Sequence, residues 1–177
     1  MARKLNQQNY CGWCGGKVSY TVDWASECTS CGYKNYQNPN PCSNVMLIRD
    51  ERILMVRRNI EPQLGKFDLP GGFMDMTDTT IEESVYRELH EEVGVKSSEV
   101  SELQYLGSHV SPYIWMDTEL NNICSFFACE LQDKIEIRLD ASENSEFMWI
   151  GADDLPNIDF AWNIDRQMLE KHFQEAA

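Results

Sequence analysis

PGGFMDMTDTTIEESVYRELHEEVGV, residues 70–95, joins a Pro-Gly-Gly break to an amphipathic helix. Thr79-x-x-Glu82 and Thr80-x-x-Glu83 both fit a capping box, so the helix starts at one threonine or the other. Gly94 stands where a C′ glycine ends it. At the helical advance of roughly 100° per residue, Glu88, Glu91 and Glu92 share an arc of roughly 100°. Val85, Tyr86, Leu89 and Val93 hold the adjoining arc, which a sheet would cover. Such an acidic run is most often a solvated helix face. Here no lysine within the helix relieves the repulsion, and a Gly-Gly loop precedes it. A divalent cation on the carboxylates is the remedy, and that combination points to phosphate chemistry. Arg87 adjoins the cluster and can hold one carboxylate by a salt bridge.

Outward from this helix the patterns alternate in kind. SNVMLIRD and ILMVRR, separated by the charged turn Asp50-Glu51-Arg52, predict a hairpin over 43–58. Residues 59–69 read as a loop. Strands are expected near 102–110, 123–131 and 146–150, with a turn at Asp153-Asp154-Leu155-Pro156. A last helix is expected over 161–174, with Ile164, Met168, Leu169 and Phe173 inward. Strands around two helices without strand–helix alternation indicate an α+β chain. Asn38-Pro39-Asn40-Pro41 reads as a hinge between a small module, residues 1–37, and a main domain, residues 38–177.

The small module carries Cys11-x-x-Cys14 and Cys28-x-x-Cys31 with 13 residues between the pairs. Two such knuckles supply four thiolates to one tetrahedral ion. Zn2+ is the expected ion, although iron also accepts four thiolates. Four filled positions leave none for substrate, so this metal is read as structural. Cys42, Cys124 and Cys129 lie in apolar contexts and read as small buried hydrophobes.

The 177 residues carry 29 Asp+Glu against 15 Lys+Arg, a formal net charge of −14. That balance predicts no nucleic-acid partner and no membrane partner. Hydrophobic residues make up 42%, enough for a core. With no apolar run of about 18 residues and no signal-peptide core, a cytoplasmic location is expected.

Residues 72–95 resemble the Nudix box, G-x5-E-x7-R-E-U-x-E-E-x-G-U with U aliphatic. Gly72 takes the first position, and Arg87-Glu88-Leu89-x-Glu91-Glu92-x-Gly94-Val95 matches the second half without substitution. Asp78 stands at the first glutamate, and eight residues instead of seven then precede Arg87. Asp75, Asp78, Glu82 and Glu83 are the candidates for the displaced acid. With the four-cysteine module and NPNP, the chain resembles the zinc-ribbon Nudix proteins, which include the NADH pyrophosphatases. The likeness spans most of residues 11–160.

The resemblance implies a mixed sheet sandwiched between helices, with a zinc ribbon in front. It implies hydrolysis of a diphosphate joining a nucleoside to another group, with Mg2+ or Mn2+ as the catalytic metal. Arg87, Glu88, Glu91 and Glu92 are then the catalytic residues, and the three glutamates are the metal ligands. A general base is sought among Glu91, Glu92, Glu119, Glu143 and Glu146. Arg57, Arg58, Gly71 and Gly72 are the expected substrate-binding residues, with one arginine reaching phosphate. Trp115, Tyr113 and Phe160 are candidates to stack on a base, and His90 and His109 read as structural or exposed. A nucleotide is the implied small-molecule partner, and Nudix relatives are often dimers, so a homodimer is an open expectation.

NADH pyrophosphatases carry SQPWPFPxS downstream of the box. Ser108-His109-Val110-Ser111-Pro112-Tyr113-Ile114-Trp115 shares with it a serine, a proline and aromatics, which weakens NADH and leaves ADP-ribose, an ADP-sugar or another dinucleotide open. The alternative is a Nudix module that senses a nucleotide without cleaving it, with the ribbon as a partner contact. A zinc-ribbon nucleic-acid binder conflicts with the acidic balance.

Overall fold

The structure, a computed structural model, describes residues 3–4, 9–22, 25–115, 118–132 and 135–175. The elements run β1 (Arg3–Lys4), β2 (Val18–Val22), β3 (Ala25–Cys28), β4 (Lys34–Tyr36), β5 (Asn40–Arg49), β6 (Arg52–Arg58), β7 (Phe67–Asp68), β8 (Gly71–Phe73), α1 (Ile81–Val93), β9 (Gln104–Trp115), β10 (Thr118–Glu130), β11 (Asn144–Ile150) and α2 (Asn163–Glu175). The chain divides into two compact units. One comprises Met1–Asn40 with Val110–Asn122, the other Pro41–His109 with Ile123–Ala177.

In the first unit, β2, β3 and β4 form an antiparallel sheet, with Val18 opposite Cys28 and Ala25 opposite Tyr36. β1 pairs in parallel with β10 at Arg3 and Thr118.

The second unit is organised by β5 and β6. Asp50 and Glu51 both take positive φ, 51° and 60°, which matches the tight hairpin turn that the charged tripeptide signals. The sheet order is β10-β5-β6-β11, with β7 on β6, β8 on β5 and β9 on β10. The pairings are antiparallel for β5–β6, β6–β11, β6–β7 and β5–β8, and parallel for β1–β10, so the sheet is mixed.

Side chains of the central strands alternate between two cores. Val45, Leu47, Leu54, Val56, Phe127 and Cys129 pack with Val85, Leu89 and Val93 of α1. Their neighbours Met46, Ile53, Met55, Phe126 and Ala128 pack with Met168 and Leu169 of α2. A period of two is the pleat of a strand, and burial of both faces explains why ILMV runs without a polar break. The expected sandwich, a sheet between two helices, is therefore present. Truncating Leu89, which is fully buried, to alanine would cost about 2–5 kcal/mol.

Several boundaries differ from expectation. The β9–β10 hairpin extends to Trp115 and Thr118, well past the expected ends. The stretch 59–69 is not all loop, because Phe67–Asp68 pairs with β6. β5 begins inside the hinge at Asn40, and Pro41, exposed near its start, sits where a strand tolerates proline. The turn near Pro156 is a short 3-10 helix, Ala152–Asn157. Among the described residues no helix is long and apolar enough to cross a membrane.

One polar group lies inside the α2-side core. Asp165 is fully buried and neither carboxylate oxygen meets a donor. Burial, then the facing Asp68 carboxylate, push its pKa well above the usual carboxylate range. A proton shared with Asp68, whose Oδ1 also lacks a donor, supplies the missing link. The folded state thus binds a proton that the unfolded chain has released at neutral pH, so stability falls as pH rises above the ordinary aspartate pKa. Asp165→Asn carries its own donor to Asp68. It is expected to be more stable than the natural chain at pH 8, by about 1–3 kcal/mol, with the gain vanishing near pH 4 in urea denaturation.

Candidate active site

The start of α1 resolves the capping ambiguity. Thr80 is the N-cap, its hydroxyl accepting the Glu83 N–H at 3.1 Å. Thr79 donates its N–H and hydroxyl back to the Glu83 carboxylate at 2.7 and 2.6 Å. Both threonines are used, with Glu83 as their common partner. Gly94 closes the helix with φ 73°, its N–H reaching the His90 carbonyl at 3.2 Å.

Arg87 is the centre of the site. Its Nη2 lies 3.1 Å from Asp78 Oδ2 and donates to the Phe73 carbonyl at 2.8 Å. Its Nη1 bridges Glu88 Oε1 at 2.9 Å and Glu91 Oε2 at 2.7 Å. Asp78 is largely buried, and the Arg87 hydrogen bonds hold its carboxyl below the usual range. Its Oδ2 also accepts the Asp75 N–H at 2.7 Å. Of the four acids proposed for the displaced position, Asp78 is the one that Arg87 grips. Asp75 instead caps Thr77, and Glu83 caps Thr79.

The carboxylates divide by exposure. Glu88 and Glu92 are each 7% exposed, while the Glu91 side chain is 54% exposed. Burial pushes the Glu88 pKa up, with Arg87 pulling the other way. Burial, then the Asp68 charge, push Glu92 well above its usual range. Glu92 Oε2 accepts the Gly71 N–H at 3.0 Å.

The glycines are needed by geometry. Gly71 has φ 153°, and a Cβ there would meet the Ser43 carbonyl of β5 at 2.1 Å. A Cβ on Gly72 would meet Glu88 Oε1 at 2.5 Å. The Gly-Gly pair therefore lets β8 approach β5 and gives Glu88 its place. Ser43 and Ser84 hydroxyls, 3.0 Å apart and buried, tie β5 to α1 beside it.

The two arginines of β6 have separate partners. Arg57 pairs with Glu146 at 2.6 Å and lies over the Phe67 ring. Arg58 binds Asp68 Oδ2 at 3.0 Å and the Pro62 carbonyl at 2.8 Å. The Trp162 indole N–H reaches the same Asp68 oxygen at 3.0 Å. Asp68, Trp162 and Asp165 were not singled out from the sequence. The available signal was an aspartate on the inner face of α2, next to Met168 and Leu169. Of the later glutamates, Glu143 is near enough for its charge to raise both Glu88 and Glu92, whereas Glu146 is engaged with Arg57. Phe160 pairs with Phe67 through the backbone and packs on the α2-side core. His90 and His109 are exposed. Tyr113 is half-buried in β9, and the Trp115 side chain lies outside the described residues.

The four cysteines converge. Cys11, Cys14, Cys28 and Cys31 place their sulfurs within 4.8 Å of one another, and among the described residues no other group does so. The pairs Cys11–Cys31 and Cys14–Cys28 stand at 3.9 and 3.5 Å. Tetrahedral zinc with bonds of about 2.3 Å spaces sulfurs at about 3.8 Å, so the donor set fits. Backbone N–H groups of Trp13, Gly16 and Ser30 point at the sulfurs of Cys11, Cys14 and Cys28. N–H donors from Cys31 and Ser30 lower the Cys28 pKa. At Cys31 the Tyr33 N–H is outweighed by the neighbouring Cys14 and Cys28 thiols, which raise its pKa, so without an ion the four sulfurs share a limited number of negative charges. By the same 4.8 Å measure the carboxylates of Glu88, Glu91 and Glu92 do not converge on a common point. Arg87 already bridges Glu88 and Glu91, while buried Glu92 has a neutral donor.

A sheet between two helices, with Arg87, Glu88, Glu91 and Glu92 beside a Gly-Gly strand, defines a class. Residues 39–172 match the NUDIX domain family, and the chain belongs to it. It is 29% identical over 171 residues to the NAD-capped RNA hydrolase NudC of Escherichia coli, covering 96% of this chain and 62% of that one. The chain thus spans under two thirds of the curated relatives it matches. In fold it is similar to a NUDIX hydrolase from Nitrosomonas europaea, with TM-score 0.72, 22% identity and coverage of 95% and 92% of the two chains. It also resembles the NUDIX domain of Shewanella oneidensis NrtR complexed with ADP ribose, with TM-score 0.63, 20% identity and coverage of 80% and 90%.

The Arg87–Asp78 pair is the testable joint of this site. Asp78→Ala leaves a mostly buried guanidinium short of its partner and frees the Asp75 N–H. A loss of about 3 kcal/mol in urea denaturation is expected, with the Asp78→Glu chain losing less.

Proposed function

We propose that this chain is a divalent-metal-dependent hydrolase of a nucleoside diphosphate linked to a second group, releasing a nucleoside monophosphate. One observation carries the proposal. Two buried carboxylates, Glu88 and Glu92, lie beside the Gly71–Gly72 strand, with Arg87 bridging Glu88 to the exposed Glu91. Burial on that scale is costly for an anion without a cation.

Glu88, Glu91 and Glu92 would hold Mg2+ or Mn2+. Such an ion supplies positive charge against the diphosphate and activates water as the nucleophile. The protein does the rest. Gly72 keeps the Glu88 carboxylate in position, and Gly71 fixes Glu92. Arg87 orients Glu88 and Glu91 while tying the loop at Phe73 and Asp78 to the helix. Glu143 is our choice for the base that takes the proton of the attacking water, because its charge is felt at Glu88 and Glu92. Water adds to one phosphorus, and the bridging oxygen leaves with the other. Residues 1–37 serve as a zinc ribbon, its zinc structural, and residues 38–177 as the catalytic domain.

For the second group we favour a NAD-type dinucleotide, free or at the 5′ end of an RNA. The support is the 29% identity to proteins named NAD-capped RNA hydrolases. ADP-ribose and ADP-sugars follow.

The test is product analysis by mass spectrometry across NADH, NAD-capped RNA, ADP-ribose and ADP-sugars, with and without Mg2+. Metal-dependent nucleoside monophosphate is expected from at least one. Glu92→Gln should lose roughly 100-fold or more in rate while remaining folded. Folded chain that binds a nucleotide in calorimetry yet turns over none of the panel would replace this reading with a sensing module.

A further inference from the structure

The four-cysteine module holds a second feature that the hydrolase reading leaves unused. A metal-held module needs few apolar side chains for a core. Among the described residues of the module the buried ones are Cys11, Ala25, Ser26 and Cys28, and none of these is aromatic. Three rings stand outside instead, with Trp13 80%, Tyr10 60% and Tyr33 48% exposed. Leaving a tryptophan in water forgoes one of the largest stabilisations a side chain offers. Clustered exposed aromatics mark a recognition surface.

The geometry is specific. Trp13 lies between the ligands of the first knuckle, and Tyr33 lies two residues beyond the last cysteine. The metal that pins the knuckles therefore also pins both rings. They stand within 15° of parallel, with centroids 6.4 Å apart. A third flat ring between two others requires about 7 Å, twice the carbon–carbon contact distance, so an entering base must part these two rings by about half an ångström more, which the exposed Trp13 side chain is free to allow. Both rings line a cavity of about 210 Å³, together with Tyr10, Ser26 and Asn35. The hydroxyl and the amide give that apolar slot hydrogen-bonding groups at its wall.

Charge selects the occupant. Residues 1–40 contain four basic side chains (Arg3, Lys4, Lys17, Lys34) and two acidic ones (Asp23, Glu27), a formal +2. Against the −14 of the whole chain, this leaves −16 for residues 41–177. The module is thus the part of the molecule that least repels a polyanion. Flat rings, amide and hydroxyl partners and the absence of acidic excess suit a nucleobase on a phosphate chain.

We propose that Trp13 and Tyr33 form a stacking slot for an unpaired nucleobase of single-stranded RNA. Stacking on aromatic side chains tolerates any base, so the slot reads single-strandedness and not sequence. A duplex buries its bases and offers nothing to the slot.

The experiment uses the full-length, zinc-loaded chain in magnesium-free buffer at low salt. A fluorescein-labelled single-stranded RNA octamer is titrated by anisotropy, so no turnover enters the readout and the outcome is separate from that of the hydrolase reading. Saturable binding is expected, weaker by about 10-fold or more in Trp13→Ala and in Tyr33→Ala, and near natural in Trp13→Phe. Zinc content and circular dichroism are checked for each variant. If Trp13→Ala loses its zinc, Tyr33→Ala carries the comparison. Removal of zinc should abolish binding, because the rings lose their spacing. Three results would overturn the slot: no binding by the natural chain, equal affinity in the folded alanine variants, or equal affinity for the duplex. Competition by adenosine monophosphate at the octamer's own affinity would also overturn it, since a free nucleotide would then be the occupant.

Discussion

One guanidinium holds the acidic face of this protein together. Arg87 sends donors to Asp78, Phe73, Ser84, Glu88 and Glu91. Those partners belong to the end of β8, to the loop that follows it and to α1. A lysine could not do this, since a point charge with three donors lacks the planar fork that reaches several acceptors at once. The carboxylates in turn offset the cost of burying the guanidinium charge. The loop from Phe73 to Asp78 and the face of the helix are therefore set by a single side chain. The glycines before the loop let the same strand close on β5 and on Glu88.

The second half of the box could be read from the sequence because its constraints are local. Helical spacing alone puts Glu88 and Glu92 on one edge and Leu89 and Val93 beside it, and the structure buries them accordingly. The hairpin at Asp50-Glu51 and the helix end at Gly94 follow from turn chemistry in the same way. The partner of Arg87 could not be chosen, because four acids lay within reach of a loop of irregular length. Only the fold decides that Asp78 turns inward while Asp75 and Glu83 cap threonines. Asp68 and Asp165 are 97 residues apart in sequence, and nothing local announces that both enter one core. The Cys42–Cys124 contact at 3.0 Å escaped for the same reason, although burial of each was legible.

Net charge conceals an asymmetry along the chain. The total of −14 is the sum of +2 over residues 1–40 and −16 over residues 41–177. In the main domain, acidic residues crowd a helix that wants cations. In the cysteine module Tyr10, Trp13 and Tyr33 are exposed beside four convergent cysteines. The same residue types thus mean different things in the two parts. Phe126 and Phe127 are core, whereas Trp13 is exposed beside a cysteine knuckle.

The distribution of donors says where the acidic site still lacks charge. Glu88 and Glu91 share Arg87, and Asp78 has it as well. Arg58 and the Trp162 indole satisfy one oxygen of Asp68. Glu92 is buried to the same extent as Glu88, yet among the described residues its hydrogen bond comes from the neutral Gly71 N–H. Without a cation it is therefore the carboxylate most readily protonated, in keeping with its strongly raised pKa. A cation that binds there displaces a proton and removes a desolvation penalty in one event. Occupancy of such a site and stability of the fold would then be linked, because an ion bound at Glu92 would favour the folded state over the unfolded chain.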